Sequence, residues 1–268
     1  MLQRIYASMA LASGMAAAAD LPQCPERPIR FAFYEMGALY TQGVGIDKDL
    51  VDALQKRSGC AFAASVQLRA RTWLELERGG VDMTGSALQT PGRDTSAWFL
   101  PYYADKNSLL LRKELPPGLQ SLDALLADTR WRVGVVRGFV HGTVLDTYLA
   151  RLRSQGRVDE VEDQDILYRM LAARRFDAIF GYSYVYTAKL KQHGIGDKVR
   201  VVRLDALPST EVHVALSKKT FTPEQNQRWG TLLAGMRSDG TLRAIFQKHV
   251  GAEAARDMLQ PRSPAAAH

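Results

Sequence analysis

The chain has 268 residues, 46% hydrophobic and 24% charged, with two cysteines and a formal net charge of +7. That composition excludes wholesale disorder, a collagen-like repeat and a disulfide-dense miniprotein, and the length allows one large or two modest domains. The basic residues are spread along the chain without zinc-finger spacing or a basic heptad helix, so no nucleic-acid partner is expected, although an anionic ligand is compatible with the charge.

The first element in the chain is a targeting segment. Met1 to Arg4 supplies a positive start, 5–18 is an apolar and small-residue run, and Ala17-Ala18-Ala19 before Asp20 matches a cleaved secretory signal. The run is too short and too alanine-rich for a membrane anchor, and Leu21-Pro22-Gln23-Cys24 does not make a lipobox. Residues 1–19 are expected to be removed on export to the periplasm, taking Arg4 with them and leaving +6 on the mature chain. In that oxidising compartment Cys24 and Cys60 are expected to pair, the alternative being two separate buried thiols.

Strands and helices then alternate. Expected strands cover 29–35, 61–68, 81–87, 108–113, 131–137, 176–182, 199–204 and 211–217, several of them continuous apolar runs suited to a sheet covered on both faces. A helix over 47–57 places Leu50, Val51 and Leu54 on one face and stops at Gly59; another over 141–154 gathers Leu145, Tyr148, Leu149 and Leu152 and stops at Gly156. Thr72 reads as the N-cap of a helix following Arg69 and Arg71, Ser121 as the N-cap of 122–127, and Thr222-Pro223-Glu224-Gln225 as a capped start. The class is α/β with mostly parallel sheets. Pro-containing joints at 113–118 and 205–210 divide the chain into a discontinuous first lobe, 20–112 with 205–250, and a second lobe, 113–204. A ligand is expected in the cleft between them, and 251–268 is expected to be a partly disordered extension.

Several landmarks follow one another at a telling spacing: Gly45-Ile46-Asp47-Lys48-Asp49-Leu50; Gly80-Val81-Asp82; Thr90-Pro91-Gly92-Arg93 followed by Trp98-Phe99-Leu100-Pro101-Tyr102; Val133 to Gly138; Ala173 to Ala178; and Ser238-Asp239-Gly240-Thr241-Leu242. Together, from about Ile29 to Val250, they resemble the type II periplasmic solute-binding proteins of the amino-acid-binding class, partners of ABC importers. The resemblance implies a periplasmic-binding-protein-like II fold with a hinge. It also implies a small-molecule ligand, no cofactor, and a monomer that meets an inner-membrane permease or a sensor.

Arg93 stands eleven residues after Asp82, enough for a strand to cross a lobe and turn back, which puts it in a loop facing the cleft. A guanidinium there offers a planar fork for a carboxylate, and the resemblance assigns the arginine of this motif to the ligand's α-carboxylate; the alternative is a surface arginine in a polar turn. Ser86 and Thr90 add hydroxyl or backbone donors. Gly138-Phe139-Val140-His141-Gly142-Thr143 runs from a strand into a helix, whose free N–H groups favour an anion, unless the glycines serve only a turn and His141 is simply packed. Tyr182 falls where amino-acid-binding members place the aspartate that pairs with the α-ammonium, and it brings no negative charge at neutral pH. Either Glu35 replaces that aspartate or the ligand is not an ordinary α-amino acid. Tyr34 and Tyr40 flank Glu35 as candidates for an aromatic wall, Arg71 is the candidate from the Arg69–Arg71 pair, and Trp73 and Trp98 are expected in the core.

Catalytic patterns are poor. The five histidines have no metal spacing, and neither a nucleophile elbow nor a phosphate-binding loop is present. The sequence therefore points to a binding protein that captures a carboxylate-bearing solute by hinge closure. The alternatives are an enzyme similar to the cyclohexadienyl dehydratases, with Glu35 as its acid, and a ligand-sensing receptor.

Overall fold

Two five-stranded sheets organise the chain, and the polypeptide passes between them twice. The computed structural model describes residues 21–260; the expected signal segment and residues 261–268 lie outside the described residues. The first sheet holds β1 (Ile29–Phe33), β2 (Phe62–Val66), β3 (Met83–Ala87), β4 (Ala97–Asp105) and the late β10 (Thr210–Ser217), in the order β2-β1-β3-β10-β4. The second holds β5 (Ser108–Arg112), β6 (Val133–Val136), β7 (Val158–Val161), β8 (Ala178–Gly181) and β9 (Val199–Arg203), in the order β7-β6-β8-β5-β9. Helices α1 (Ile46–Ser58), α2 (Arg69–Arg78) and α3 (Pro91–Asp94) link the early strands. In the second lobe lie α4 (Leu122–Ala127), α5 (Thr143–Ser154), α6 (Gln164–Ala172) and α7 (Ser183–Gln192); α8 (Pro223–Ser238), α9 (Thr241–Val250) and α10 (Ala252–Leu259) close the chain.

Local sequence accounts for most of these elements. β6 and β8 are buried at every position, as their apolar runs require; β3 is also fully buried, its Thr84 and Ser86 hydroxyls donating to Ala32 and Asp47, whereas β2 is an edge strand facing solvent. α1 and α2 end on Gly59 and Gly79, both in the left-handed region at φ 75° and 79°. Ser121 and Thr222 cap α4 and α8 through the amides of Ala124 and Gln225.

The sequence expectations need five corrections. β1 is parallel to β2 and β3, and β6 to β7 and β8, but β10 and β5 are antiparallel to both their neighbours. The parallel arrangement thus holds for only half of each sheet, the half not made by crossing strands. β5 was assigned to the first lobe, but it hydrogen-bonds to β8 and β9, so the first crossing lies at 106–107 rather than in the Pro-containing 113–118. β4 and β7 were unexpected as strands. β4 contains Pro101, tolerated because β4 is an edge strand and Pro101 sits beside a bulge opposite Val212 and His213. α2 starts four residues early, with Leu68 at its N-cap, and the Thr72 hydroxyl donates to the Leu68 carbonyl. Residues 252–259 form α10, whose Ala255 and Met258 are buried in the first-lobe core and whose Leu259 carbonyl accepts from Arg237.

Two ties secure the first lobe. The Asp82 carboxylate is fully buried and accepts from Arg27, Arg30 and Thr220, joining the segment before β1 to the turn after β10. Burial opposes ionisation there, but those donors overcome it and hold Asp82 well below the usual carboxylate range. The other tie is the Cys24–Cys60 disulfide, which clips the N-terminal segment to the end of α1 across a separation of 36 residues. Replacing both cysteines by serine is expected to cost up to about 4 kcal/mol through the entropy returned to the unfolded chain. Urea unfolding checks this; unchanged midpoints would show that the clip constrains little.

Candidate functional site

The lobes meet along a trench that starts where β3 ends. Residues 88–90 turn into α3, whose N-cap Thr90 accepts the Arg93 amide at 3.3 Å. This short turn aims the Arg93 side chain across the trench. One guanidinium nitrogen donates to the Leu88 carbonyl on its own lobe and the other to the Gly138 carbonyl on the opposite lobe, each at 2.8 Å. The guanidinium also lies 3.8 Å from the centre of the Trp73 ring. Burial, then the neighbouring charge of Arg69, pulls Arg93 down to about 9, so it remains charged at neutral pH.

Arg69 is the second cation. It is 3% exposed, donates to the Ser86 carbonyl at 2.8 Å, and stacks 4.1 Å from the Tyr34 ring centre and 5.1 Å from that of Trp73. Tyr34 donates to the same Ser86 carbonyl at 2.9 Å, and burial pushes its phenol up to about 12. Phe139 comes from the other lobe to meet Tyr34 edge-on at 5.6 Å. The preceding Gly138 has φ 80°, and a Cβ there would lie 2.8 Å from the Ala70 Cα. Only glycine lets the second lobe approach this closely.

Behind the trench sits a buried carboxyl group. Asp47 accepts from the Tyr102 hydroxyl at 2.7 Å and from the Ser86 hydroxyl at 2.8 Å. Burial raises its carboxyl to about 6 against those two bonds. Ser86 has φ 51°, unusual for a side-chain-bearing residue, and its amide donates to Tyr102 at 2.9 Å. These bonds orient the Ser86 carbonyl toward Arg69 and Tyr34.

Of the residues singled out from the sequence, Arg93, Ser86, Tyr34, Gly138, Phe139 and Tyr182 come together here. Tyr182 is buried, stacked 5.5 Å from Tyr184, and its phenol is pushed far above its ordinary value by burial. Others lie elsewhere. Arg71 points outward, 69% exposed and paired with Glu75, because the early start of α2 puts Arg69, Thr72 and Leu76 on the buried face. Tyr40 stacks at 4.4 Å on Phe33 within the first-lobe core. Glu35 accepts the Gln42 amide at 3.1 Å and lines a side recess of about 260 Å³. The anion site expected at the start of α5 is covered by the protein itself, since Asp146 accepts the His141 amide at 3.0 Å. Burial, with Arg153 adding to it, pushes the His141 imidazole down to about 4, leaving it neutral at neutral pH, and its ring packs 5.8 Å from Phe180. Trp73, expected in the core, packs against the cluster around Ala32 and Leu76 and also presents its ring to both guanidinium groups.

Phe139 and Val140 divide the trench. The gap lined by Arg69, Arg93, Phe139 and Tyr182 holds only about 20 Å³. On one side it adjoins a cavity of about 800 Å³ lined by Thr90, His141, Asp146 and the 207–210 crossing, and on the other the Glu35 recess.

Residues 28–252 match the bacterial extracellular solute-binding proteins, family 3. The chain belongs to this family. No curated protein sequence matches it. Its fold is that of an ancestral arginine-binding protein bound to arginine (21% identity, TM-score 0.70, 84% of this chain and 98% of that one). It is also that of a histidine kinase sensor domain with similarity to periplasmic binding proteins (18%, TM-score 0.71, 88% and 98%). AncCDT-1, an ancestral amino-acid-binding protein described as a precursor of cyclohexadienyl dehydratase, is similar too (21%, TM-score 0.66, 83% and 95%). At these identities the likeness is one of fold, and within it this family member carries the paired arginines described above.

The raised Asp47 carboxyl has a consequence for stability. Its folded form titrates near 6 against an ordinary 3.8, so the folded state binds the extra proton between those values and stability falls as pH rises through them. Wild type relative to Asp47→Asn is expected to lose about 3 kcal/mol between pH 4 and 7. Urea unfolding at each pH measures this, and parallel profiles for the two proteins would contradict it.

Proposed function

We propose that this family member is an exported, periplasmic binding protein that closes its lobes on a small carboxylate-bearing solute and presents the closed form to an inner-membrane ABC importer. One observation carries the reading: Arg93 is a half-buried guanidinium in the interlobe gap whose two side-chain bonds go to main-chain carbonyls, one from each lobe. A ligand carboxylate arriving between the lobes would replace the neutral Gly138 carbonyl with a charge-assisted, bidentate partner. Closure then has a physical cause, because the ligand interacts more strongly with the closed arrangement than with an open one. The dehydratase-like alternative takes Glu35 as its acid, but Glu35 accepts the Gln42 amide in a side recess shared with Arg69 and does not line the gap. The geometry therefore favours capture over turnover.

A thermal-shift screen of residues 20–268 against amino acids, dicarboxylates, polyamines and aromatic acids tests the proposal. The solute found is expected to stabilise wild type in proportion to its concentration. Arg93→Ala is expected to weaken its binding by about 2–5 kcal/mol. A solute that binds Arg93→Ala as tightly as wild type would place the site elsewhere.

A further inference from the structure

We propose that the solute is a small dicarboxylate lacking an ammonium group. This rests on the carboxylate site at Arg93 proposed above and names the solute class that the site selects. The gap, which at about 20 Å³ must widen to admit a solute, is lined by Arg69 and Arg93 together with Met36, Leu88, Phe139 and Tyr182, and no carboxylate among the described residues lines it. Both guanidinium groups stack on one indole, Arg93 at 3.8 Å and Arg69 at 5.1 Å from its ring centre, so they are neighbours. Both hydrogen-bond to main-chain carbonyls, of Ser86 for Arg69 and of Leu88 and Gly138 for Arg93. The Arg69 Nε is buried with no hydrogen-bond partner, although the residue is only 3% exposed. One buried and one half-buried cation lining the same gap, with no carboxylate hydrogen-bonded to either among the described residues, repel one another, and an anion between them relieves that cost.

The acidic residues near the gap make their hydrogen bonds elsewhere, although Asp47 attracts Arg69 and Asp146 attracts Arg93 through space and Glu35 shares a recess with Arg69. Asp47 stands behind Ser86, bonded to it and to Tyr102. Asp146 holds the His141 amide, Glu35 the Gln42 amide and Asp94 the Gln89 side chain. Asp105 acts on Tyr182 from outside the lining. A zwitterionic amino acid docked by its carboxylate on Arg93 would carry its ammonium into the field of Arg69, opposite a tyrosine that offers no negative charge. A second carboxylate in that place would meet a preformed guanidinium fork.

Matched sets of ligands test this by isothermal titration calorimetry on the mature protein: succinate, aspartate and propionate in one set, glutarate, glutamate and butyrate in the other. In at least one set the dicarboxylate is expected to bind about tenfold or more tighter than both its amino and its monocarboxylate counterparts. Arg69→Gln is expected to erase the preference over the monocarboxylate, and Arg93→Gln to weaken all members. Tyr182→Asp, which leaves both arginines in place, is expected to shift the preference about tenfold toward the amino acid. Aspartate or glutamate binding as tightly as its dicarboxylate, and through Arg93, would overturn the dicarboxylate assignment while leaving the carboxylate site standing. Failure of both dicarboxylates to bind, with an amino acid from the thermal-shift screen binding through Arg93, would do the same. Failure of every carboxylate in the calorimetry and the screen would remove both.

Discussion

The Arg93 guanidinium shares its hydrogen bonds between the two lobes, and the contact between the lobes is organised around that division. Its partner on the far side is a main-chain carbonyl at Gly138, which reaches it only because a residue without a Cβ at φ 80° passes the backbone of Ala70. A neutral carbonyl can satisfy the N–H group but cannot compensate the charge. The same contact that shuts the trench therefore leaves it electrostatically incomplete, with Arg69 beside Arg93 and no carboxylate among the described residues lining the gap. In the proposed function, this deficit is what would couple ligand binding to lobe closure.

Close main-chain approach recurs along the interface. A Cβ at Gly37 would meet the Val185 backbone at 2.9 Å, and one at Gly142 would meet the Thr210 hydroxyl at 2.6 Å. The Ala38 amide reaches the Tyr184 carbonyl, and the hydroxyls of Tyr103 and Tyr184 meet at 3.1 Å. The lobes thus fit backbone to backbone, with aromatic side chains filling the remainder. Behind this interface, the Asp47, Ser86 and Tyr102 bonds hold the end of β3 in an uncommon conformation, and the cost of burying Asp47 is the counterpart of that order.

Much of the secondary structure was legible because it depends on neighbours in the chain. Several buried strands show as apolar runs, and the caps at Ser121 and Thr222 and the stop at Gly59 are contacts within a few residues. β4 was hidden by Pro101, whose tolerance depends on sheet position, and α10 was hidden by a weakly patterned tail that becomes a helix against the first-lobe core. In the structure Arg93 lies in α3, just past the end of β3, and its guanidinium reaches the Gly138 carbonyl of the other lobe. Selecting Arg69 over Arg71 required knowing that both lie inside α2, where residues two apart face opposite sides of the helix.

By itself, then, the sequence determined the α/β class, the chemistry of its fork at Arg93, the pairing-competent cysteines and the absence of an acidic residue at Tyr182. These follow from residue type and from contacts between near neighbours. Only the tertiary structure decided that β5 joins the second sheet, that Asp146 covers the start of α5, that Glu35 turns away, and that Arg69 stands beside Arg93 over Trp73. Each of those outcomes rests on partners brought together from different elements, where the balance of burial, charge and hydrogen bonding exists only once the lobes have folded and met.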